Sequence, residues 1–367
     1  MRILHVIPSL RRSGTEKQMA LLAGSLAGDL ADEFDVHVCA IGRGGPVADD
    51  LAAAGVPVTV LAARWRFDPQ AIWRLRRLVA ELRADVIHSW QFSANVSSHA
   101  VARLCGVRCH VAHCGGVDPS ASWFKMAARR HVARRCAQVV VGNSAVRDGC
   151  VRGGLPAEKI RVIANGVPSA DPPGTTRSQL LAELKLPESS RLVGLLGPLR
   201  LRKQIKDAIW AADLLKVIRD DVHLLIAGDG PHGNRLRTFR DQVGIRDKVH
   251  FLGHCNDVSQ LLPHLDVFWS TEVRQGPSNA IMEAMAAGVP VVAANVPGVA
   301  GLVTADKTGY LIPAGDRAAL ARHTQRLLND AELATRLGTA GRERMQREFG
   351  VEAMVGRYAE LYRELLG

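Results

Sequence analysis

Residues 266–293 read DVFWSTEVRQGPSNAIMEAMAAGVPVVA and contain two kinds of hydrophobic pattern. Asp266–Trp269 and Val289–Ala293 are short apolar runs rich in β-branched or aromatic residues, which is typical of buried strands. The pattern of Ser278–Ala287, which lies between them, is helical. A strand, a helix and a second strand in this order predict two parallel strands joined by a crossover helix.

The same alternation extends through the rest of the chain and predicts parallel sheets with helices on both faces. The other predicted strands are Ile3–Ile7, Asp35–Ile41, Val56–Leu61, Asp85–Ser89, Arg108–His113, Gln138–Val141, Arg161–Ile163, Arg191–Leu196, Val222–Ala227 and Lys248–Leu252. The other predicted helices are Glu16–Leu30, Pro69–Arg83, Ser122–Cys136, Lys206–Arg219, Asn234–Val243, Asp316–Asn329 and Val351–Leu366.

The length of 367 residues favours two domains. Ser169–Ser178 carries two prolines and a glycine without periodicity, which predicts a linker. We therefore expect an α/β protein of two tandem Rossmann-like, doubly wound parallel-sheet domains, residues 1–170 and 171–350. Ligands of such sheets bind at the carboxyl ends of the strands, so the cleft between the domains is the expected site.

The net charge is +11, and most of it belongs to the first domain. Residues 1–170 hold 22 Lys and Arg against 13 Asp and Glu, a net of +9. This excess indicates an anionic partner. Arg64–Arg83 and Trp123–Arg135 concentrate arginines beside aromatic residues, so each is either a solvated helix surface or a contact with anionic lipid. Nucleic acid is disfavoured because the usual binding motifs are missing.

The seven cysteines are an odd number without the spacing of a disulfide framework, which predicts a reducing compartment. The first residues lack the pattern of a signal peptide, and no run of 18 apolar residues occurs. We expect a cytoplasmic protein, and membrane association remains open.

Two segments of the second domain are suited to binding a phosphate or a sugar. Gly276, Pro277 and Ser278 favour the start of a helix whose N–H groups would face an anion, with Asn279 and Glu283 on one face. Gly197–Lys203 places three cations after a strand, as a diphosphate clamp requires. The alternatives are an ordinary capped helix and a solvated basic loop.

Three other segments are less distinctive. Gly228–Gly233 matches the dinucleotide pattern G-x-G-x-x-G, but it does not follow the first strand of its domain, so a glycine-rich turn is favoured. The first turn, Arg11–Glu16, is either a phosphate-binding turn or a helix cap. His113 is either a substrate-binding residue or a buried core histidine. A zinc site at Cys109, His110, His113 and Cys114 is disfavoured because neighbouring strand residues point to opposite faces.

Taken together, the motifs resemble the retaining glycosyltransferases of family 4, which have the GT-B architecture. The resemblance rests on HVIPSL with Gly14 and Glu16, DVIH at Asp85–His88, NGV at Asn165–Val167, Lys203, GDGP at Gly228–Pro231, FLG at Phe251–Gly253 and NAIMEAMAAGVPVVA at Asn279–Ala293. It implies transfer of a sugar from a nucleoside-diphosphate sugar to a hydroxyl acceptor (a glycan, a lipid-linked acceptor or a small molecule) without a metal. It also implies that the last helix, residues 351–367, packs on the first domain, which binds the acceptor.

The resemblance also implies roles for individual residues. The residues implied in catalysis are His113, Lys203 and Gln275, and those implied in donor binding are Gly14, Arg200, Arg202, Lys203, Gly230, Phe251, Leu252, Gly276, Pro277, Ser278, Asn279 and Glu283. Glu283 would hold the ribose, Lys203 would neutralise the diphosphate and the backbone around Val249–Gly253 would contact the base.

This chain departs from the family pattern at three positions. Gln275 stands where the motif has its first glutamate, Pro198 stands where an arginine is usual, and Gly301 replaces an acidic residue of some members. Glu272 is a candidate to compensate for the lost acid. Two alternatives therefore remain open, namely a non-catalytic relative that binds sugar nucleotides and a sugar-nucleotide epimerase of similar architecture.

Overall fold

The computed structural model describes residues 1–116, 121–170, 172–255, 257–273 and 278–367. The chain divides into two compact units. Unit 1 consists of residues 1–166 and 351–367, and unit 2 of residues 167–350. The predicted linker is too long at its end, because a helix already begins at Arg177. Thr176 and Gln179 form a reciprocal capping box there, and this fixes the start of that helix.

The described residues form thirteen strands and fourteen α-helices. The strands are β1 (Arg2–Ser9), β2 (Asp35–Arg43), β3 (Val58–Val60), β4 (Val86–Trp90), β5 (Cys109–His113), β6 (Gln138–Val141), β7 (Ile160–Val162), β8 (Arg191–Leu196), β9 (Val222–Ala227), β10 (Val249–Gly253), β11 (Val267–Ser270), β12 (Val291–Ala294) and β13 (Gly309–Ile312). The helices are α1 (Gly14–Gly28), α2 (Val47–Ala53), α3 (Pro69–Leu82), α4 (Phe92–Cys105), α5 (Trp123–Arg135), α6 (Ser144–Arg152), α7 (Arg177–Glu183), α8 (Ile205–Ile218), α9 (Gly233–Val243), α10 (Asn279–Ala286), α11 (Pro297–Ala300), α12 (Arg317–Asn329), α13 (Ala331–Phe349) and α14 (Val351–Leu366).

Each unit is built on a twisted sheet whose strand pairs are parallel. The order in unit 1 is β3-β2-β1-β4-β5-β6-β7, and the order in unit 2 is β10-β9-β8-β11-β12-β13. The first strand of each sheet pairs with strands from both halves of its unit, as β1 does with β2 and β4. This is the doubly wound arrangement, and it confirms the predicted fold class.

The last helix, α14, belongs to the core of unit 1. Met354, Tyr358 and Tyr362 are almost completely buried among residues of α1 and β1. Burial of one such large side chain stabilises a fold by about 1.5–3 kcal/mol. These residues therefore anchor the helix to unit 1, although the rest of that unit ends at residue 166.

The core of unit 2 lies on both faces of its sheet. Trp269 of β11 is completely buried, and its Nε1 donates a hydrogen bond to Oγ1 of Thr324 on α12, at 2.7 Å. The bond satisfies the only donor of a buried indole. It fixes α12 against β11, the strand that leads into the predicted sugar-binding loop. No helix of the described residues is long and apolar enough to cross a membrane.

Candidate functional site

The strand order of unit 2 changes direction between β8 and β11. In doubly wound sheets, ligands bind at such a switch point, outside the carboxyl ends of the strands. The segment after β8 contains Arg200, Arg202 and Lys203, and the segment after β11 begins at Thr271. The topology therefore brings two of the segments singled out in the sequence to one edge of the sheet.

Lys203 lies at the end of a 3₁₀ turn, Leu201–Lys203, with its side chain over the end of β8. Gly197 has a φ of +130°, and a Cβ at this position would lie 2.8 Å from Cε of Lys203. A glycine is therefore required for the lysine to lie there. The side chain is 11% exposed, and its Nζ is 2.7 Å from Oε2 of Glu272.

Three contacts connect the turn that carries Lys203 to the segment after β11. Oγ1 of Thr271 donates a hydrogen bond to the carbonyl oxygen of Lys203 at 2.6 Å, and N–H of Val273 donates to that of Arg202 at 3.1 Å. The third is the carboxylate of Glu272, whose Oε1 lies 3.6 Å from Nε of Arg202. Arg200 is exposed at the start of the same turn. The two cations and the carboxylate thus form one cluster.

Helix α10 begins at this edge, with Ser278 at its N-cap position and Asn279 as its first residue. Ser278 is buried, whereas Asn279 and Glu283 are half-buried and lie one turn apart on one face. Asn279 therefore lies in the first turn of α10 and Glu283 one turn further on, as the sequence predicts, while their roles in ligand binding stay predictions. Gln275, Gly276 and Pro277 lie outside the described residues.

The glycines of Gly228–Gly233 pack against the segment after β8. A Cβ on Gly228 would lie 2.0 Å from the carbonyl oxygen of Gly197, and one on Gly230 would lie 2.7 Å from the backbone nitrogen of Leu199. N–H of Leu199 donates to the carbonyl of Asp229 at 3.0 Å. Backbone packing thus explains both glycines without a dinucleotide, which favours the interpretation as a glycine-rich turn.

Phe251 and Leu252 lie in β10, the edge strand of the sheet. Both are partly buried. The guanidinium groups of Arg237 and Arg240 on α9 lie 4.9 and 5.6 Å from the centroid of the Phe251 ring. Such distances are within the range of cation–π attraction. The ring is therefore engaged within unit 2, while the backbone of this strand remains the predicted contact for a base.

The sheet of unit 1 has its own switch point, between β1 and β4. Gly14 begins α1 after β1, and Glu16 in the same turn is 4% exposed. The hydroxyl of Ser13 donates to Glu16, and Nε2 of Gln91 donates to its Oε1 at 3.1 Å. Glu16 thus connects the turn after β1 to the turn after β4. Ser13, at the N-cap position of α1, makes no side-chain hydrogen bond to the helix backbone, so its hydroxyl does not form the predicted cap and the turn is held through Glu16 instead.

His113, at the carboxyl end of β5, is 7% exposed and stacks on Trp90 with ring centroids 4.6 Å apart. Burial lowers the pKa of His113 to about 4. The ring is therefore neutral at pH 7, so it interacts with its surroundings through hydrogen bonds and not through a positive charge. Its Nδ1 has no partner among the described residues. An unsatisfied buried nitrogen of this kind is suited to a substrate hydroxyl or a water.

The cysteines and histidines near β5 have separate partners. Sγ of Cys109 donates to the carbonyl of Leu365 at 3.1 Å, whereas Nε2 of His110 lies 2.8 Å from Oγ of Ser89. Sγ of Cys114 lies 3.6 Å from Sγ of Cys150. In the part of the chain that the structure describes, no three metal-binding side chains converge.

Sequence reasoning missed Thr271 and Gln91, which fix the turns at the two switch points. Thr271 has no motif of its own, and its role becomes visible only because β11 pairs with β8. Gln91 directly follows β4 and has a φ of +70°, which is rare outside glycine and marks a position with a structural or functional constraint. The sequence gives no signal for such a conformation.

Comparisons with known proteins show the family of the chain. The family model Glycosyltransferase Family 4 matches residues 13–171, and the model Glycosyl transferases group 1 matches residues 176–344. In an alignment of 375 positions, the chain is 27% identical to the GDP-mannose-dependent alpha-(1-6)-phosphatidylinositol monomannoside mannosyltransferase of Mycobacterium tuberculosis. The alignment covers 96% of this chain and 95% of that protein.

A second curated relative is the N-acetyl-alpha-D-glucosaminyl L-malate synthase of Bacillus anthracis. It is 30% identical over 190 residues, and the match spans about half of each protein, 52% of this chain and 49% of the relative. Among solved structures, the crystal structure of Anabaena HepE in complex with UDP-glucose has a TM-score of 0.88 at 22% identity, covering 99% of this chain and 100% of that one. Such a likeness shows the fold. The two family models together match most of the chain, which therefore belongs to the glycosyl transferases group 1 family, with the Rossmann-like domains of the GT-B fold.

Proposed function

We propose that this protein transfers a sugar from a nucleoside-diphosphate sugar to a hydroxyl acceptor, with retention of configuration at the anomeric carbon. The observation that carries the proposal is the position of Lys203 and Arg202 at the switch point of unit 2, beside the segment that leads to α10. Cations at this edge are suited to a diphosphate.

In the proposed reaction, the bond between the anomeric carbon and the diphosphate breaks as the acceptor oxygen attacks. Negative charge grows on the leaving diphosphate, so fixed positive charge stabilises the transition state. Lys203, Arg202 and the N-terminus of α10 supply this charge without a metal, while Arg200 adds to the local potential. Glu283 accepts hydrogen bonds from the ribose hydroxyls, and neutral His113 hydrogen-bonds the substrate near the reacting carbon.

The names of the relatives support a nucleotide-sugar donor and leave its base open. The Mycobacterium relative is named for GDP-mannose and phosphatidylinositol monomannoside, whereas the HepE structure contains UDP-glucose. We therefore include both bases in the test, and we propose a glycan or a lipid-linked molecule as the acceptor.

Thermal denaturation with nucleotide sugars tests the proposal directly. At millimolar concentration, one donor among UDP-, GDP- and ADP-sugars is expected to raise the Tm by about 5 °C, because ligands that bind only the folded state stabilise it. A panel without any shift would contradict the donor site.

Product analysis then separates the three candidate activities. A transferase releases the nucleoside diphosphate, and NMR of the glycoside reports retention or inversion. An epimerase converts the donor alone into a stereoisomer. A non-catalytic relative leaves the donor intact, and Gln275→Glu would then be expected to restore turnover.

We further propose that unit 1 contacts an anionic membrane surface. Trp123 and Phe124 on α5 are 70% and 67% exposed. The ring of Phe92 contacts both basic stretches. Nζ of Lys125 on α5 lies 5.5 Å from the centroid of this ring, and Phe67, from the stretch Arg64–Arg83, packs edge-on against it with centroids 6.5 Å apart. Exposed aromatic rings beside cations are suited to the interface of a charged bilayer.

Vesicle co-sedimentation tests this surface. The protein is expected to bind vesicles that contain about one quarter phosphatidylglycerol, and the bound fraction is expected to fall as the salt concentration rises. It is expected not to bind vesicles of pure phosphatidylcholine. The double variant Trp123→Ser, Phe124→Ser is expected to bind about tenfold more weakly, because it removes the two exposed rings. Val217→Ser is the matched control, since Val217 is 84% exposed on unit 2. Equal losses in both variants, or binding insensitive to salt, would contradict the proposal.

A further inference from the structure

The carboxylate of Glu272 lies between the two cations assigned to the diphosphate. Its Oε2 is 2.7 Å from Nζ of Lys203, and its Oε1 is 3.6 Å from Nε of Arg202. The side chains of Glu272 and Lys203 are each 11% exposed. Glu272 is also the single acidic residue in the sequence 271–278, since Gln275 is neutral. An anionic side chain is therefore paired with the two cations that are proposed to bind the diphosphate of the donor.

The burial of Lys203 explains why an anion is needed there. An ammonium group removed from water is costly unless a negative charge compensates it. Within the described residues, Glu272 supplies that charge, while the carbonyl oxygen of Leu196, 3.5 Å from Nζ, supplies only a dipole. A bound diphosphate would supply more negative charge than one carboxylate, so it is able to replace Glu272 as the partner of Lys203.

We propose that Glu272 is the exchangeable counter-ion of the donor site: it pairs with Lys203 while the site is empty and yields the lysine to the diphosphate. The inference rests on the proposed function. Because the carboxylate competes with the ligand, it weakens binding of the nucleoside diphosphate and speeds its release after transfer. Glu272 is thus a positioning residue that acts through Lys203 and tunes the affinity for the product.

The hydrogen bonds of the two residues that flank Glu272 support an exchange rather than a rearrangement of the fold. Thr271 and Val273, its two neighbours, hydrogen-bond the carbonyl oxygens of Lys203 and Arg202. These bonds hold both segments in place independently of the Glu272 side chain. The carboxylate is therefore able to leave Lys203 by rotation of its own side chain, while the lysine stays at the end of β8.

Calorimetric titration with UDP, GDP and ADP tests the inference. In Glu272→Gln, which keeps the shape and loses the charge, the Kd of the nucleoside diphosphate is expected to fall about five- to tenfold, the scale of one opposed charge in a partly solvated site. Glu272→Ser, which places a smaller neutral side chain there, is also expected to lower the Kd of the nucleoside diphosphate. Glu272→Asp keeps the charge and is expected to stay within about twofold of the wild type.

Asp266 provides the matched control for a purely structural ion pair. It accepts hydrogen bonds from Arg177 and Arg191 at the opposite end of β11. Asp266→Asn is expected to lower the Tm without changing the Kd. If Glu272→Gln behaves in the same way, or binds more weakly than the wild type, the inference is wrong. If the wild-type protein binds none of the three nucleotides, the proposed function itself fails, and the inference falls with it.

Discussion

Lys203→Met is expected to lower kcat/KM for the nucleotide-sugar donor by about 100- to 1000-fold, the usual loss when one preorganised charge is removed from a transition state. Methionine fills nearly the same volume as the lysine stem, so the space beside Gly197 stays occupied. The loss therefore reports the missing ammonium group. Steady-state release of nucleoside diphosphate from the donor measures it.

The variant also leaves the Glu272 carboxylate buried without its 2.7 Å partner. Loss of one member of a buried pair usually destabilises a protein by about 3–5 kcal/mol. A smaller loss is expected here, because Nε of Arg202 stays 3.6 Å from the carboxylate. The double variant Lys203→Met, Glu272→Gln removes both charges and is expected to recover most of the Tm, but none of the catalytic loss. If activity returns together with stability, Lys203 has only a structural role.

Lys206→Met is the matched control for the general basicity of this region. Lys206 lies on the first turn of α8, three residues after Lys203. Its Nζ lies 4.5 Å from the centroid of the Phe239 ring. Cation–π attraction at an exposed site contributes only about 0.5–1 kcal/mol. We expect a change in kcat/KM of less than about twofold. A large loss in this control would indicate that net charge, rather than the position of Lys203, governs donor use.

The sequence predicts twelve of the thirteen strands because their apolar runs are continuous, whereas the four-residue edge strand β13 (Gly309–Ile312) was not predicted. Gln138–Val141, Arg191–Leu196 and Val222–Ala227 have the predicted bounds in the structure. Helices α2, α4, α6, α7, α11 and α13 were not predicted. In α13, the buried residues Leu333, Leu337 and Met345 are spread over a mostly polar segment with two glycines. Its burial depends on tertiary packing, which a local pattern does not reveal.

The candidate site also contains residues that the sequence predicts and contacts that only the fold reveals. Asn279 and Glu283 were predicted because they lie in the most specific motif, and Lys203 because it lies in a basic loop and matches the lysine of the family pattern. The structure places Lys203 and Asn279 at the segments after β8 and β11. Those site residues remain predictions until a donor is tested. The ion pair of Lys203 and Glu272 joins segments that are distant in the sequence, so it depends on the pairing of β8 with β11. Sequence reasoning proposed Glu272 only as a substitute for the acid at position 275.

Gly228→Ala is expected to destabilise unit 2 by about 4 kcal/mol or more. Gly228 has a φ of +142°, and an added Cβ would lie 2.0 Å from the carbonyl oxygen of Gly197. Strain of a residue in such a region costs about 1–3 kcal/mol, and overpacking adds a similar amount. Relief by movement is restricted, because N–H of Gly228 donates to the carbonyl of Gly253 at 2.7 Å. Urea denaturation followed by circular dichroism measures the loss.

Gly233→Ala separates this packing requirement from a nucleotide requirement. A Cβ at Gly233 would lie 3.3 Å from Nη1 of Arg237, a flexible side-chain end, and 3.4 Å from Cδ1 of Leu199. Gly233 is the first residue of α9, so alanine fits its backbone and the stability is expected to change by less than about 1 kcal/mol. A dinucleotide fingerprint would instead require the third glycine for close packing of helix and strand. If Gly228→Ala folds like the wild type but loses a bound dinucleotide, the fingerprint interpretation is correct and backbone packing is not the reason for these glycines.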